Sequence, residues 1–209
     1  MTANPPAHCC TVGFLHEGQA NGEIQEIASS EFVMRYMMTA TNRLVVSSYV
    51  SYPPDRSTNN AILFLTDAMG HRFINAQLIA DQFAANGYFV VMPELFHGDP
   101  IPINYGAEFD IWGWYNNHLP PRVDPIVDTI LGEMRTTLGC KRIGGVGYCF
   151  GGRYVCRYLK AGKLDAGFIA HPTMVQADEV EGIEGPLSIA AASESAAFLC
   201  IPLVYADRL

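Results

Sequence analysis

Short continuous apolar runs alternate along this chain with stretches whose apolar residues recur at helical spacing, and no other feature narrows its possible folds as far. Residues 61–66 (AILFLT), 88–92 (YFVVM), 142–148 (RIGGVGY), 166–170 (AGFIA) and 187–192 (LSIAAA) read as strands. The unbroken apolar character of the first two is that of strands buried on both faces of a parallel sheet. A β-branched run at 44–51 (LVVSSYVS), followed by Pro53 and Pro54, adds another strand. Residues 75–86 (NAQLIADQFAAN) set Leu78, Ile79 and Phe83 on one side of a helix, with Gly87 where a C-terminal cap belongs. Residues 124–138 (DPIVDTILGEMRTTL) open with Asp124 before Pro125, the order of an N-cap and a first helical residue, and residues 153–159 (RYVCRYL) resume helical spacing. This order of elements predicts an α/β fold with a doubly wound, mostly parallel sheet and crossover helices.

At 209 residues the chain suits a single domain, and 49% hydrophobic against 16% charged residues is the composition of a well-buried globular protein. A formal charge of -8 opposes a nucleic acid or an anionic membrane surface as partner, because both are gripped by clustered Lys and Arg. No stretch approaches the roughly 18 apolar residues of a membrane span. The opening MTANPPAHCC has no positive segment followed by an apolar run, so a cytoplasmic location with reduced thiols is expected for the six cysteines. Cys9 and Cys10 lack a second pair at zinc-site spacing, Cys140 and Cys156 fall at core-like spacing, and neither a metal nor a cofactor is expected.

Residues 147–152 (GYCFGG) carry the chemistry. A strand that runs into Gly-x-Cys-x-Gly and then a helix forms a strained turn that lifts the central side chain above the sheet. Gly147 and Gly151 flank Cys149 because side chains there would clash in so tight a turn. At a helix N-terminus the dipole favours the nucleophilic thiolate, and the backbone N–H of Phe150, with a second from Ala68, would form an oxyanion hole. The bland alternative is a tight strand-to-helix turn that happens to bury a cysteine.

Several stretches closely resemble the fungal branch of the dienelactone hydrolase family: HCCTVGFLHEGQANGEI (residues 8–24), MGHRFINAQLIADQFAANGYFVVMPELFHGDP (69–100), GVGYCFGGRY (145–154), AGFIAHP (166–172) and GPLSIAAA (185–192). The resemblance implies an α/β-hydrolase fold, Cys149 as nucleophile, Ala68 and Phe150 as oxyanion hole, and Asp67 as an acid that restrains and tunes the thiol. It places an aspartate where this chain has Ser195, leaving Glu194 as the nearest carboxylate. The family continues through a further helix and strand to a histidine, whereas this sequence reads FLCIPLVYADRL. A single domain over residues 1–209 is therefore expected to lack the C-terminal strand and helix, with 198–209 an atypical tail.

His171, at the end of a strand beside the nucleophile, is the substitute candidate for the base; its other reading is a strand-end histidine before Pro172 held by a backbone carbonyl. His71, His97 and His118 read as loop or pocket-rim residues. The aromatic stretch 109–121 (FDIWGWYNNHLPP) reads equally as a lid over the substrate or as apolar cover for the sheet. The expected activity is cleavage of a small ester, lactone or thioester through Cys149, in fungal polyketide or aromatic metabolism. The alternatives are an inactive member that binds an acyl molecule or a partner protein, and a redox role for Cys149. Substrate identity and oligomeric state are not legible.

Overall fold

A strand covered on both faces needs apolar side chains at every position, and two strands meet that condition: β3 (Asn60–Leu65) buries all but its first residue and β4 (Phe89–Pro93) buries all five. They lie at the centre of the computed structural model of the chain, which describes residues 12–29 and 44–190. Around them the seven-stranded sheet adds β1 (Glu23–Ala28), β2 (Val45–Ser51), β5 (Arg142–Tyr148), β6 (Ala166–Ala170) and β7 (Leu187–Ala190), in the order β1-β2-β4-β3-β5-β6-β7. The pairs β1–β2 and β2–β4 are antiparallel; the other four are parallel. The fold is thus the expected α/β architecture, a mostly parallel sheet flanked by helices.

From β3 the chain crosses through α1 (Ile74–Ala85) to β4 on one side, then returns through α2 (Ile111–Asn117) and α3 (Pro120–Thr136) to β5 on the other side of β3. The direction of winding reverses between β3 and β5, and in open α/β sheets the crevice outside the carboxyl ends of strands at such a point is where ligands bind. Asp67 follows β3 and Cys149 follows β5, so the topology alone puts both at that crevice.

The larger apolar core lies on the face carrying α3 and α4 (Phe150–Tyr158), with Leu63, Leu65, Ile130, Met134, Tyr154 and Val155 in its middle. A smaller one lies under α1. Helix α1 turns Ala76, Ala80, Asp81 and Ala84 to the sheet, whereas Ile79, expected on the buried side, is 37% exposed. Small side chains let this helix approach the strands closely, which leaves Leu78 and Ile79 on its flank. The Asp81 carboxylate accepts hydrogen bonds from the hydroxyls of Tyr49 (2.8 Å) and Ser51 (2.7 Å) and the amide of Asn21 (2.7 Å), tying helix, strand and N-terminal arm together.

Helix α3 starts four residues before the expected Asp124, at Pro120, with Pro125 inside it. Pro120 and Pro121 are tolerated in a first turn whose N–H groups lack partners anyway, and Asp124 pairs with Arg157 instead of capping. In the aromatic stretch, α2 is capped by Asp110 Oδ1, which accepts the Gly113 amide at 2.9 Å. Trp114 and Tyr115 are buried against Phe150, with ring centroids 5.8 Å away in each case, so this segment covers the helix that follows the Cys149 turn. His71 and His118 lie in loops, as expected, but are buried: His71 Nε2 lies 3.2 Å from Ser47 Oγ, and the His118 ring reaches the carbonyls of Trp114 and Phe96. Among the described residues no helix is long and apolar enough to cross a membrane.

Candidate active site

Cys149 sits between β5 and α4 with φ +48° and ψ −108°. A residue with a side chain rarely adopts a positive φ, and its surroundings must hold it there. Three backbone hydrogen bonds do so: Cys149 N–H to the Ala170 carbonyl (3.1 Å), Gly151 N–H to the Thr66 carbonyl (2.9 Å) and Thr173 N–H to the Cys149 carbonyl (3.0 Å). The glycines are required by space. A Cβ on Gly147 would stand 2.7 Å from the Gly151 carbonyl oxygen, and one on Gly151 would stand 2.0 Å from that of Leu65. The turn is wedged between the end of β3 and the segment after β6, with Cys149 only 5% exposed.

The Cys149 Sγ lies 3.1 Å from the Thr173 hydroxyl. Phe150, the first residue of α4, is buried among Phe96, Trp114, Tyr115 and Tyr154. Ala68 is buried in the loop after β3, where its carbonyl accepts the Ile101 amide at 2.8 Å. The other two described thiols, Cys140 and Cys156, are raised by burial to about 11 and about 12, as inert core cysteines are.

Asp67 and His171 open onto a cavity of about 660 Å³ walled by α1, Phe64, Tyr148 and the arm at residues 12–17. The Cys149 side chain is not among its lining residues. His171 has φ +38°, its ring lies 6.2 Å from that of Tyr148, and burial lowers its pKa, favouring the neutral imidazole. Cys149 and His171 are thus neighbours through the backbone, since the Cys149 N–H donates to the carbonyl just before His171, while the thiol is within hydrogen-bond distance of the Thr173 hydroxyl. Asp67 Oδ1 accepts the Met69 amide at 3.0 Å. Glu194 and Ser195 lie outside the described residues, as do Cys9, Cys10 and the tail. Among the described residues no group of three or more His, Cys, Asp and Glu side chains is gathered as a metal site would need.

Burial raises the Asp67 carboxyl from 3.8 to about 6, against the lowering effect of the Met69 and Gly70 amides. An acid whose folded pKa is raised binds its proton more tightly in the folded state. Its contribution to stability is therefore present at low pH and lost as pH rises from about 4 to about 6, above which the ionised carboxylate is a standing cost. Asp67→Asn is expected to raise stability at neutral pH by roughly 1–2 kcal/mol, the gain vanishing near about pH 4. Melting curves across pH check this, and a gain independent of pH would contradict it.

Sequence reasoning did not find Thr173 or the ion network behind α4. Arg153, 7% exposed, donates through Nε to Glu179 at 2.9 and 3.1 Å and through Nη1 to the Tyr115 hydroxyl at 3.2 Å. Arg157 Nη1 reaches the same Glu179 at 2.8 Å. The available signal was Arg153 itself, a charge one turn after Cys149 on a helix that packs against a sheet, which demands a buried partner. Glu179, on α5 (Ala177–Glu181) and 4% exposed, is that partner. Glu179→Ala is expected to cost about 3–5 kcal/mol in urea unfolding, because it strands the Arg153 charge; a loss below about 1 kcal/mol would show the network to be energetically idle.

The mostly parallel sheet, the strained strand-to-helix turn with a cysteine at its apex, and the crevice at the reversal of strand order together define an α/β-hydrolase fold. The sequence profile described as "Dienelactone hydrolase family" matches residues 46–198, and the chain belongs to that family. It is 52% identical over 198 residues to Hydrolase pyvD of Aspergillus violaceofuscus, covering 95% of this chain and 74% of that one. It is 48% identical over 206 residues to Hydrolase tropI of Talaromyces stipitatus, covering 95% and 75%. Among solved structures, a dienelactone hydrolase-like promiscuous phosphotriesterase from metagenomic libraries shares the fold with a TM-score of 0.58 at 15% identity, over 86% of this chain and 72% of that one.

Proposed function

We propose that this hydrolase cleaves a small ester, lactone or thioester through a covalent intermediate on Cys149. The Cys149 thiolate attacks the carbonyl carbon, and the resulting oxyanion is held by the backbone N–H groups of Phe150 and Ala68. Collapse expels the alcohol or thiol and leaves an acyl group on Sγ. Water then attacks the acyl carbon, releasing the acid and returning the thiol. His171, whose pKa partial desolvation lowers, is the candidate proton carrier, with Glu194 as candidate acid partner and Asp67 as a second group at the crevice. The carrying observation is the conformation of Cys149, φ +48° at the N-terminus of α4 with the Phe150 amide next to it. Both named relatives come from fungi. The reading accordingly extends to cytoplasmic fungal secondary metabolism, on polyketide-derived or aromatic acyl compounds.

A second reading, an acyl-binding protein without turnover, draws on one observation: the imidazole of His171 lines the cavity while the Cys149 thiol bonds to Thr173. The test is hydrolysis of a nitrophenyl ester, a small lactone and an acyl thioester by the purified chain, beside calorimetric titration with a non-hydrolysable ester analogue. Turnover of at least one substrate is expected; saturable binding with no turnover of any would favour the second reading.

A further inference from the structure

After β6 the chain bends sharply twice within four residues, His171 at φ +38° and Met174 at φ +57°. Neither is glycine, so both bends cost free energy that the surroundings must offset. The segment between them is pressed onto the nucleophile turn. Pro172 packs so closely on Gly152 that a Cβ there would stand 2.8 Å from the proline Cβ. Thr173 N–H donates to the Cys149 carbonyl at 3.0 Å. The outcome of this arrangement is a hydroxyl 3.1 Å from the Cys149 sulfur, on a residue only 4% exposed. The same bends put His171 among the residues that line the cavity with Asp67 and Tyr148.

We propose that Thr173 is a positioning residue for the nucleophile: its hydroxyl donates a hydrogen bond to the Cys149 thiolate and fixes the direction of the sulfur. Its purpose rests on the hydrolase reading above, but its test does not. A thiolate has lone pairs and no proton, so once Cys149 ionises only the threonine hydroxyl can be the donor. That bond is stronger to the charged sulfur than to the neutral thiol, and so favours ionisation. The threonine keeps its proton throughout; the proton lost from the thiol goes to solvent or to a base. Among the described residues, the charged and titratable groups around the turn include Tyr115 on α2, Tyr148 on β5, Arg153 and Tyr154 on α4, Glu179 on α5, Asp67 after β3 and His171 after β6. None of them is altered by substituting Thr173.

The experiment is the rate of iodoacetamide alkylation of Cys149 as a function of pH in the full chain, followed on the Cys149 peptide by mass spectrometry so that other thiols do not contribute. Thr173→Val keeps the shape and removes the hydroxyl, Thr173→Ser restores it, and Thr173→Ala serves if the valine variant does not fold. The valine variant is expected to move the alkylation midpoint up by about one pH unit and to slow alkylation at neutral pH about threefold to tenfold. The serine variant is expected to behave as the unsubstituted chain. A midpoint unmoved in the valine and alanine variants would overturn the proposal. So would a serine variant shifted as far as valine, since the methyl group would then be what matters. A chain that follows the expected alkylation pattern yet hydrolyses no ester would sink the hydrolase reading and leave Thr173 in its assigned role.

Discussion

Replacing Cys149 by alanine is expected to lower hydrolysis of an activated ester by about three powers of ten or more, with the fold unchanged. The size follows from what the substitution removes. The proposed oxyanion donors are backbone N–H groups, and the turn is held by the Ala170, Thr66 and Cys149 carbonyls, so alanine deletes the proposed nucleophile and little else. The residual rate would be that of substrate held near those amides with only water to attack it. Initial rates beside a buffer blank decide the matter, and a variant retaining more than about a tenth of the activity would require another nucleophile.

Gly151→Ala is expected to destabilise the chain by about 4 kcal/mol or more, a melting temperature lower by roughly 10 °C. The added Cβ would stand 2.0 Å from the Leu65 carbonyl oxygen and 2.3 Å from its carbon. Both are backbone atoms of a central strand, not the far end of a side chain that could swing aside. Relief requires the first turn of α4 to lift from β3, which breaks the hydrogen bond from the Gly151 amide to Thr66 and moves Cys149 with it. Activity should therefore fall even in the folded fraction. A melt within about 2 °C of the unsubstituted chain would mean that the elbow is looser than the contacts imply.

The parts of this structure that could be read from sequence are those dictated locally. The buried strands declared themselves as apolar runs, and Gly147 and Gly151 marked the turn because no other residue fits so close to a neighbouring backbone. Their meaning survives in the contacts each glycine makes. What escaped was set by partners far along the chain. β1 (EIQEIA) carries three polar residues because it is an edge strand, exposed along much of its length, and the sequence reading assigned it no element. Helix α5 has five residues, too few for any periodicity, and is fixed by Glu179 meeting Arg153 and Arg157. The start of α3 was misplaced because Asp124 before Pro125 is a good cap locally, yet its carboxylate is taken by Arg157. Leu78 and Ile79 looked like the buried side of α1, but the helix lies on alanines and turns those two toward the cavity. Thr173 was invisible for the same reason: nothing near it in sequence says that two backbone bends will bring it to a thiol 24 residues away.

The central claim is an acyl group carried on Cys149, and the most direct measurement is the intact mass of the protein quenched in acid within the first turnovers of an activated acyl thioester. The expected result is a mass increase of one acyl group, mapped by peptide analysis to Cys149, that decays as acid product appears and is absent from Cys149→Ala. Product formation at full rate with no adduct on Cys149, or an adduct located on another residue, would contradict it.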